Sequence, residues 1–515
     1  MHIDVTLQYK MKINHWLVSS LRTLATALQG NVAIRNRSVP KATLIGVLGV
    51  ILLYVSVAGI ISTAVPWNNK SDTKYHIDYV WRVYNGELPQ FAEGVTYTPL
   101  KNGAKMHLTA SHPPLFYMLH APFLGPLLKE GNWKGAIALG RAINIFIGVL
   151  CIIAFAWAGW TFGGSQKALM AVAVPAVSAL MYRFTTLNVV FGNDVLIVLF
   201  ATLAFICMYK IVEKGLRSKY FWTLGLISIL GMATRAPYVV ILLVSFASIL
   251  AAAVLHNKKR LSNGLMLAAI KIALIGVAVA LTIGWFYHRN FQASGSWFKS
   301  SPDSFDGGRT YKSLRAVIAS TKLWALFYNH SSNAPFLATI ITSFAAAGYL
   351  SVISSIEKVT IFCRRHKPQA ILIGLMIVAT IGILLTQIKF AVGYGSINFR
   401  YFLPVLLPIG LFLAYGLTRF KVARGQLVAV FVVATAFTTI WPVATSEAVS
   451  TMVPAVLTVG NNIEKVFIAI SSNGVSPVVT SLLMGSFVVG SALLAITLYV
   501  LSLPNRVVRA SKRSI

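Results

Sequence analysis

TLIGVLGVILLYVSVAGIISTAV, residues 43–65, contains no charged side chain. Wound as a helix at about 1.5 Å per residue it is long enough to cross a hydrocarbon core of about 30 Å. The same reading recurs along the chain. Apolar runs fall at about 43–65, 137–162, 168–182, 194–212, 220–234, 237–255, 265–287, 335–356, 370–388, 401–418, 426–443 and 478–501. They predict an all-α polytopic membrane protein of about twelve spans. The runs at 168–182 and 220–234 are short, so each lies at an angle inside the bundle or is not a full span. Because about 40 residues precede the first run and polar residues follow it, residues 43–65 are expected to stay attached as a span, not to be cleaved as a signal peptide.

Composition agrees. The 515 residues are 57% hydrophobic and 11% charged, against about 25% charged in soluble domains. The formal net charge of +32 is spread in small groups between apolar runs, which argues for a topology signal and against nucleic-acid binding. Cys151 and Cys207 lie in or beside apolar runs and Cys363 in a basic loop, leaving no exposed pair for a disulfide.

Lys and Arg are retained on the cytoplasmic side during insertion, and here they occupy alternate intervals. One set holds Lys10 to Lys41, Lys167, Lys210 to Lys219, Lys258 to Arg260, Lys358 to Lys367, Arg419 to Arg424 and Arg506 to Arg513. Ten of the thirteen acidic residues fall in the other set: Asp72, Asp78, Glu87, Glu93, Glu130, Asp194, Asp303, Asp306, Glu447 and Glu464. The expected topology has both termini in the cytoplasm and the carboxylates outside, in a plasma membrane of bacterial type. It divides the chain into a cytoplasmic amphipathic segment (1–42) that lies on anionic lipid, a transmembrane domain (43–501) and a basic tail (502–515). Two outer loops are long, 66–136 and 288–334, and the first contains helical patterns at 75–83 and 115–128 that suit interfacial helices.

Candidate chemistry collects in these loops. Asp72 and His76 are spaced to share one side of a helix start, where Asp72 can serve as general base or merely as a helix cap. Two prolines fix His112 at a defined depth, so its imidazole can meet a phosphate oxygen or simply begin the next helix. Arg235, His288, Arg289 and Arg400 place cations at outer span ends, against the positive-inside bias; they suit an anionic headgroup or snorkel to it. Arg141 lies within a span, where a charge needs a partner or an aqueous cavity, and Asn193 with Asp194 either meets a substrate hydroxyl or caps a helix. No P-loop, Rossmann glycine pattern or zinc spacing occurs, so no nucleotide cofactor is expected and a divalent metal stays open.

Several separated segments, in order, resemble the GT-C-fold membrane glycosyltransferases that use lipid-phosphate sugars, nearest the protein-mannosyltransferase-like branch. They are Asp72 to Pro89, His112-Pro113-Pro114-Leu115-Phe116-Tyr117, Arg141, Asn193-Asp194, Trp285 to Gly295, and Arg400-Tyr401-Phe402-Leu403-Pro404. Thr73 departs from the Asp-Glu pair of many relatives, so only Asp72 takes the family's base role. The resemblance implies a GT-C-like bundle that transfers a sugar from a polyprenyl-phosphate donor to a glycan, glycolipid or protein acceptor of the cell envelope. Inversion by Asp72 is expected, with His76, His112, Arg141, Asn193, Asp194, Arg235, His288, Arg289 and Arg400 as substrate contacts. A transporter or flippase of lipid-linked sugars, or a non-catalytic assembly subunit, is the alternative.

Overall fold

In a computed structural model, residues 30–34, 37–65, 72–101, 103, 105–299, 313–325, 335–350, 356–394, 397–420, 424–445, 470–471 and 473–503 are described. The expected N-terminal amphipathic residues, the acidic residues at 303, 306, 447 and 464, and the tail beyond 503 lie outside them. What is described of the first segment is an antiparallel hairpin, β1 (Asn31–Ile34) with β2 (Arg37–Pro40). β-branched Val32, Ile34 and Val39 suit these strands.

Every other described element is helical. Spans long and apolar enough to cross a membrane are α1 (Lys41–Ala64), α4 (Trp133–Phe162), α7 (Asp194–Lys214), α9 (Tyr238–His256), α10 (Leu261–Ser294), α15 (Lys367–Tyr394), α16 (Leu406–Leu417, extended by the 3-10 turn Phe399–Val405) and α18 (Pro477–Ser502). Between α1 and α4 come α2 (Thr73–Tyr84) and α3 (Leu115–Lys129), as expected of the first long loop. The remaining helices are α5 (Lys167–Ala179), α6 (Tyr182–Val189), α8 (Tyr220–Met232), α11 (Leu314–Ile318), α12 (Thr321–Ala325), α13 (Pro335–Leu350), α14 (Ile356–Arg365) and α17 (Arg424–Thr445). The described residues thus hold eight helices able to span, or up to nine if α5 and α6, bent by 60° at their junction, form one broken span. Each of the twelve predicted runs contains a helix, but α8, α13 and α17 offer only shorter apolar helices among the described residues. The chain is a polytopic integral membrane protein.

In a membrane there is little hydrophobic drive between helices, so close backbone approach supplies dispersion contact. α1 runs along α18 and crosses it at Gly49 and Gly490, where a Cβ on either would press into the opposing backbone. Gly348 of α13 and Gly416 of α16 repeat the device.

At the end of the bundle where α1 ends and α7 begins, backbone ends are satisfied by side chains. Arg141, fully buried in α4, donates from Nη1 to the carbonyls of Ser62 (2.8 Å) and Val65 (2.9 Å). A cation is favourable there because the last carbonyls of a helix lack intrahelical donors and carry its negative dipole end. Asn144, one turn further along α4, donates to the Gly192 carbonyl at 3.1 Å and so fixes the entry to α7.

Candidate active site

α2 begins at Asp72, whose backbone carbonyl accepts from the amides of Tyr75 (3.0 Å) and His76 (3.2 Å). Its carboxylate makes no capping bond. Instead Oδ2 accepts from Arg400 Nη1 at 3.1 Å, and the Asp72 side chain remains 46% exposed. The cap reading of this carboxylate therefore does not describe it. Arg400, on the 3-10 turn before α16, turns its Nε to Oδ2 of Asp194 at 2.5 Å. Arg235, in the connection from α8 to α9, pairs with the other oxygen of Asp194.

Two carboxylates and two guanidiniums from four separate stretches of chain thus form one nearly neutral cluster. Asp194 sits in the first turn of α7, where the helix dipole favours an anion. It is almost completely buried, Arg235 and Arg400 are mostly buried, and only Asp72 opens widely to solvent. Burial pushes the Arg235 guanidinium down to about 10, with Arg400 adding to the effect, and it still carries its charge at neutral pH. Asn193 donates to the Thr234 carbonyl at 3.2 Å, which ties the start of α7 to the loop that bears Arg235.

The histidines lie beside this cluster. His76 turns its Nδ1 to the Tyr117 hydroxyl (2.9 Å), and His112 directs its own Nδ1 to the same hydroxyl (3.1 Å). Tyr79 stacks on Tyr117 with ring centroids 3.6 Å apart and donates to the His112 carbonyl at 2.9 Å. Burial, then the Arg400 and Arg235 charges, hold the His76 imidazole well below its ordinary 6.5; the same causes, Arg235 foremost of the two, act on His112. Both rings are neutral at pH 7.

Arg289 is used differently. Its Nη2 donates to the carbonyls of Pro89 (2.7 Å) and Ala110 (3.4 Å), and Asn290 reaches the Ser111 carbonyl at 3.5 Å. The end of α10 thereby pins two turns of the first loop close to the site. His288 is exposed with its ring 5.9 Å from Trp297, and Arg141 is committed to α1, so neither joins the cluster.

Sequence reasoning passed over Asp78, which proves to be the hub of the first loop. Its Oδ1 accepts from the amides of Thr96 (2.7 Å) and Tyr97 (2.6 Å) and the Thr96 hydroxyl (3.0 Å), while Oδ2 meets His107 Nε2 (3.1 Å) and Arg82 Nε (3.3 Å). Arg82 also bridges to Glu93 at 2.5 Å. Burial alone raises this carboxyl, but the bonds from His107, Tyr97 and Thr96 outweigh it and hold it below 3.8. The available signal was Asp78 and Arg82 at helical i, i+4 spacing among aromatic residues of α2.

Among the described residues no three His, Cys, Asp or Glu side chains converge as a metal site.

Two solved structures of ArnT from Cupriavidus metallidurans, one bound to undecaprenyl phosphate and one in the apo state, are similar to this chain at 13% identity. They cover 88% of it and 76% and 77% of their own lengths, with TM-scores of 0.41 and 0.43. No curated protein matches the chain. A family model does: that of the dolichyl-phosphate-mannose-protein mannosyltransferases, over residues 111–283. On this stretch, which holds His112, Arg141, Asn193, Asp194 and Arg235, the chain is similar to that membrane glycosyltransferase family.

Proposed function

We propose that this protein transfers a sugar from a polyprenyl-phosphate donor to a cell-envelope acceptor on the non-cytoplasmic face of the membrane. The observation that carries the reading is Arg400, which holds the half-exposed Asp72 through Nη1 and the buried Asp194 through Nε. A cation fixed by a buried acid beside an accessible one can hold an anionic leaving group while the accessible acid works as base.

In the proposed step an acceptor hydroxyl gives its proton to Asp72 as its oxygen bonds to the anomeric carbon. The bond from that carbon to the phosphate oxygen breaks, and lipid phosphate departs with the electron pair toward Arg400 and Arg235, with His112 alongside. Attack opposite the leaving group inverts the centre. While Arg400 lies on Asp72 it occupies the carboxylate oxygen Oδ2. An incoming phosphate competes for that guanidinium, so donor binding would free the base just when it is needed.

Asp72→Asn, purified and placed in lipid, should lose transfer and still bind polyprenyl phosphate; full activity in that variant removes the proposed base. Transfer in detergent, where no second compartment exists, separates this reading from a transporter. Extracts of a deletion strain, examined for a truncated envelope glycan, would identify the acceptor.

A further inference from the structure

Helix α8 ends at Met232, just before Arg235, and the carbonyls at a helix end lack intrahelical donors. For Ala233 the lack is built in. The amide four residues on would belong to Pro237, which has no N–H. Donors arrive instead from three other stretches of chain. The Tyr287 hydroxyl of α10 donates to the Met232 carbonyl at 2.8 Å, and the Leu115 amide that opens α3 donates to the Ala233 carbonyl at 3.1 Å. Asn193, before α7, donates to the Thr234 carbonyl at 3.2 Å. Tyr287 and Asn193 are both buried, so neither bond is easily exchanged for water.

This run of carbonyls joins two parts of the site. Arg235 follows it directly, and its guanidinium pairs with Asp194, the residue after Asn193. Two consecutive residues of chain at the start of α7 therefore grip two consecutive residues of the connection from α8 to α9. On the other side, Leu115 closes His112-Pro113-Pro114-Leu115, a link that its two prolines keep stiff. Asn290, on the same helix as Tyr287, reaches the Ser111 carbonyl at 3.5 Å. His112 is thus bracketed between a contact to α10 and a contact to the Ala233 carbonyl.

We propose that the carbonyls of Met232, Ala233 and Thr234 set Arg235 and His112 in fixed relation, and that Tyr287 is a positioning residue for Arg235 through the Met232 carbonyl. A buried carbonyl that loses its donor turns toward another, and the guanidinium carried three residues later turns with it. The hydrogen-bonded frame stands on its own geometry; its use in holding a phosphate rests on the function proposed above.

The test is a double-mutant cycle on the full chain in lipid, read as affinity for undecaprenyl phosphate. Tyr287→Phe keeps the ring against Phe298 and removes only the hydroxyl. It should lower affinity about fivefold, the scale of one hydrogen bond. In an Arg235→Gln background it should lower affinity no further, because the group it positions is gone. Asn193→Ala, which removes the donor to Thr234, should give the same pattern and serves as the second cycle. Where Arg235→Gln weakens binding, an equal loss from Tyr287→Phe in both backgrounds, or no loss in either, overturns the proposal. If Arg235→Gln leaves undecaprenyl phosphate affinity unchanged, the donor reading of Arg235 falls and the frame is judged without ligand. Unfolding temperatures of the same variants in detergent should then be non-additive for Tyr287→Phe and Arg235→Gln, since a displaced guanidinium pairs less well with Asp194; simple additivity overturns the frame.

Discussion

Arg400 meets two acids with two different nitrogens, a task that a lysine's single point charge cannot perform. Arg400→Lys should therefore keep part of the anion attraction and lose the geometry. We expect donor affinity to fall about tenfold and turnover by roughly 10²–10³, the range seen when one transition-state donor is removed. Equal turnover in Arg400→Lys and the unaltered protein, measured at saturating donor, would show that bridging is irrelevant. The neighbouring histidines give a pH signature whose sign follows from burial. His76 and His112 sit well below 6.5 in the fold, so on acidification the unfolded chain takes up protons first and stability falls as pH drops below 6.5. Asp78 acts lower: held below 3.8, it contributes stability above that value and loses it as pH falls through its folded pKa. Thermal unfolding in detergent should show a decline between pH 7 and 5 that is smaller in His76→Asn. An equal decline in both would leave that histidine without a part in it.

Helices α2 and α3 were legible in the sequence because apolar residues recur at helical spacing and Pro113-Pro114 marks a start. What joins them was not. The loop between α2 and α3 is organised by Asp78 gathering Thr96, Tyr97, His107 and Arg82, contacts across up to 29 residues that no local spacing reveals. Likewise the place of Arg289 at a span end suits an anionic headgroup or snorkelling, and its Nη2 lies on the Pro89 and Ala110 carbonyls; a residue's depth is visible in sequence and its partner is not. A charge such as Arg141 within a span needs a partner or an aqueous cavity, and its Nη1 meets the carbonyls at the end of α1. Arg141→Met should destabilise the bundle by about 1–3 kcal/mol for each buried carbonyl left without a donor, read as a lower unfolding temperature in detergent. Donor affinity should change little in the fraction that stays folded. A selective loss of donor affinity at unchanged unfolding temperature would instead place Arg141 at the substrate.

At the scale of the whole molecule, side chains from both sides of several spans meet at one end: Asp72 before α2, Asp194 opening α7, Arg235 after α8 and Arg400 before α16. The hydropathy pattern made them neighbours in compartment, and the fold makes them neighbours in contact. The crowding of Lys and Arg in the alternate intervals carries the proposal that this end faces outside. The chain carries its own control for this orientation. Cys363 is exposed in α14, in the basic interval expected inside, while Cys151 and Cys207 are buried. Glu87, exposed after α2, lies in the first loop and can be replaced by cysteine without touching the acid cluster. In intact cells a membrane-impermeant maleimide should label Glu87→Cys, and Cys363 only after the membrane is opened. Labelling of Cys363 alone in intact cells would turn the whole arrangement over, with Asp72 in the cytosol and no route for an outward acceptor to reach it.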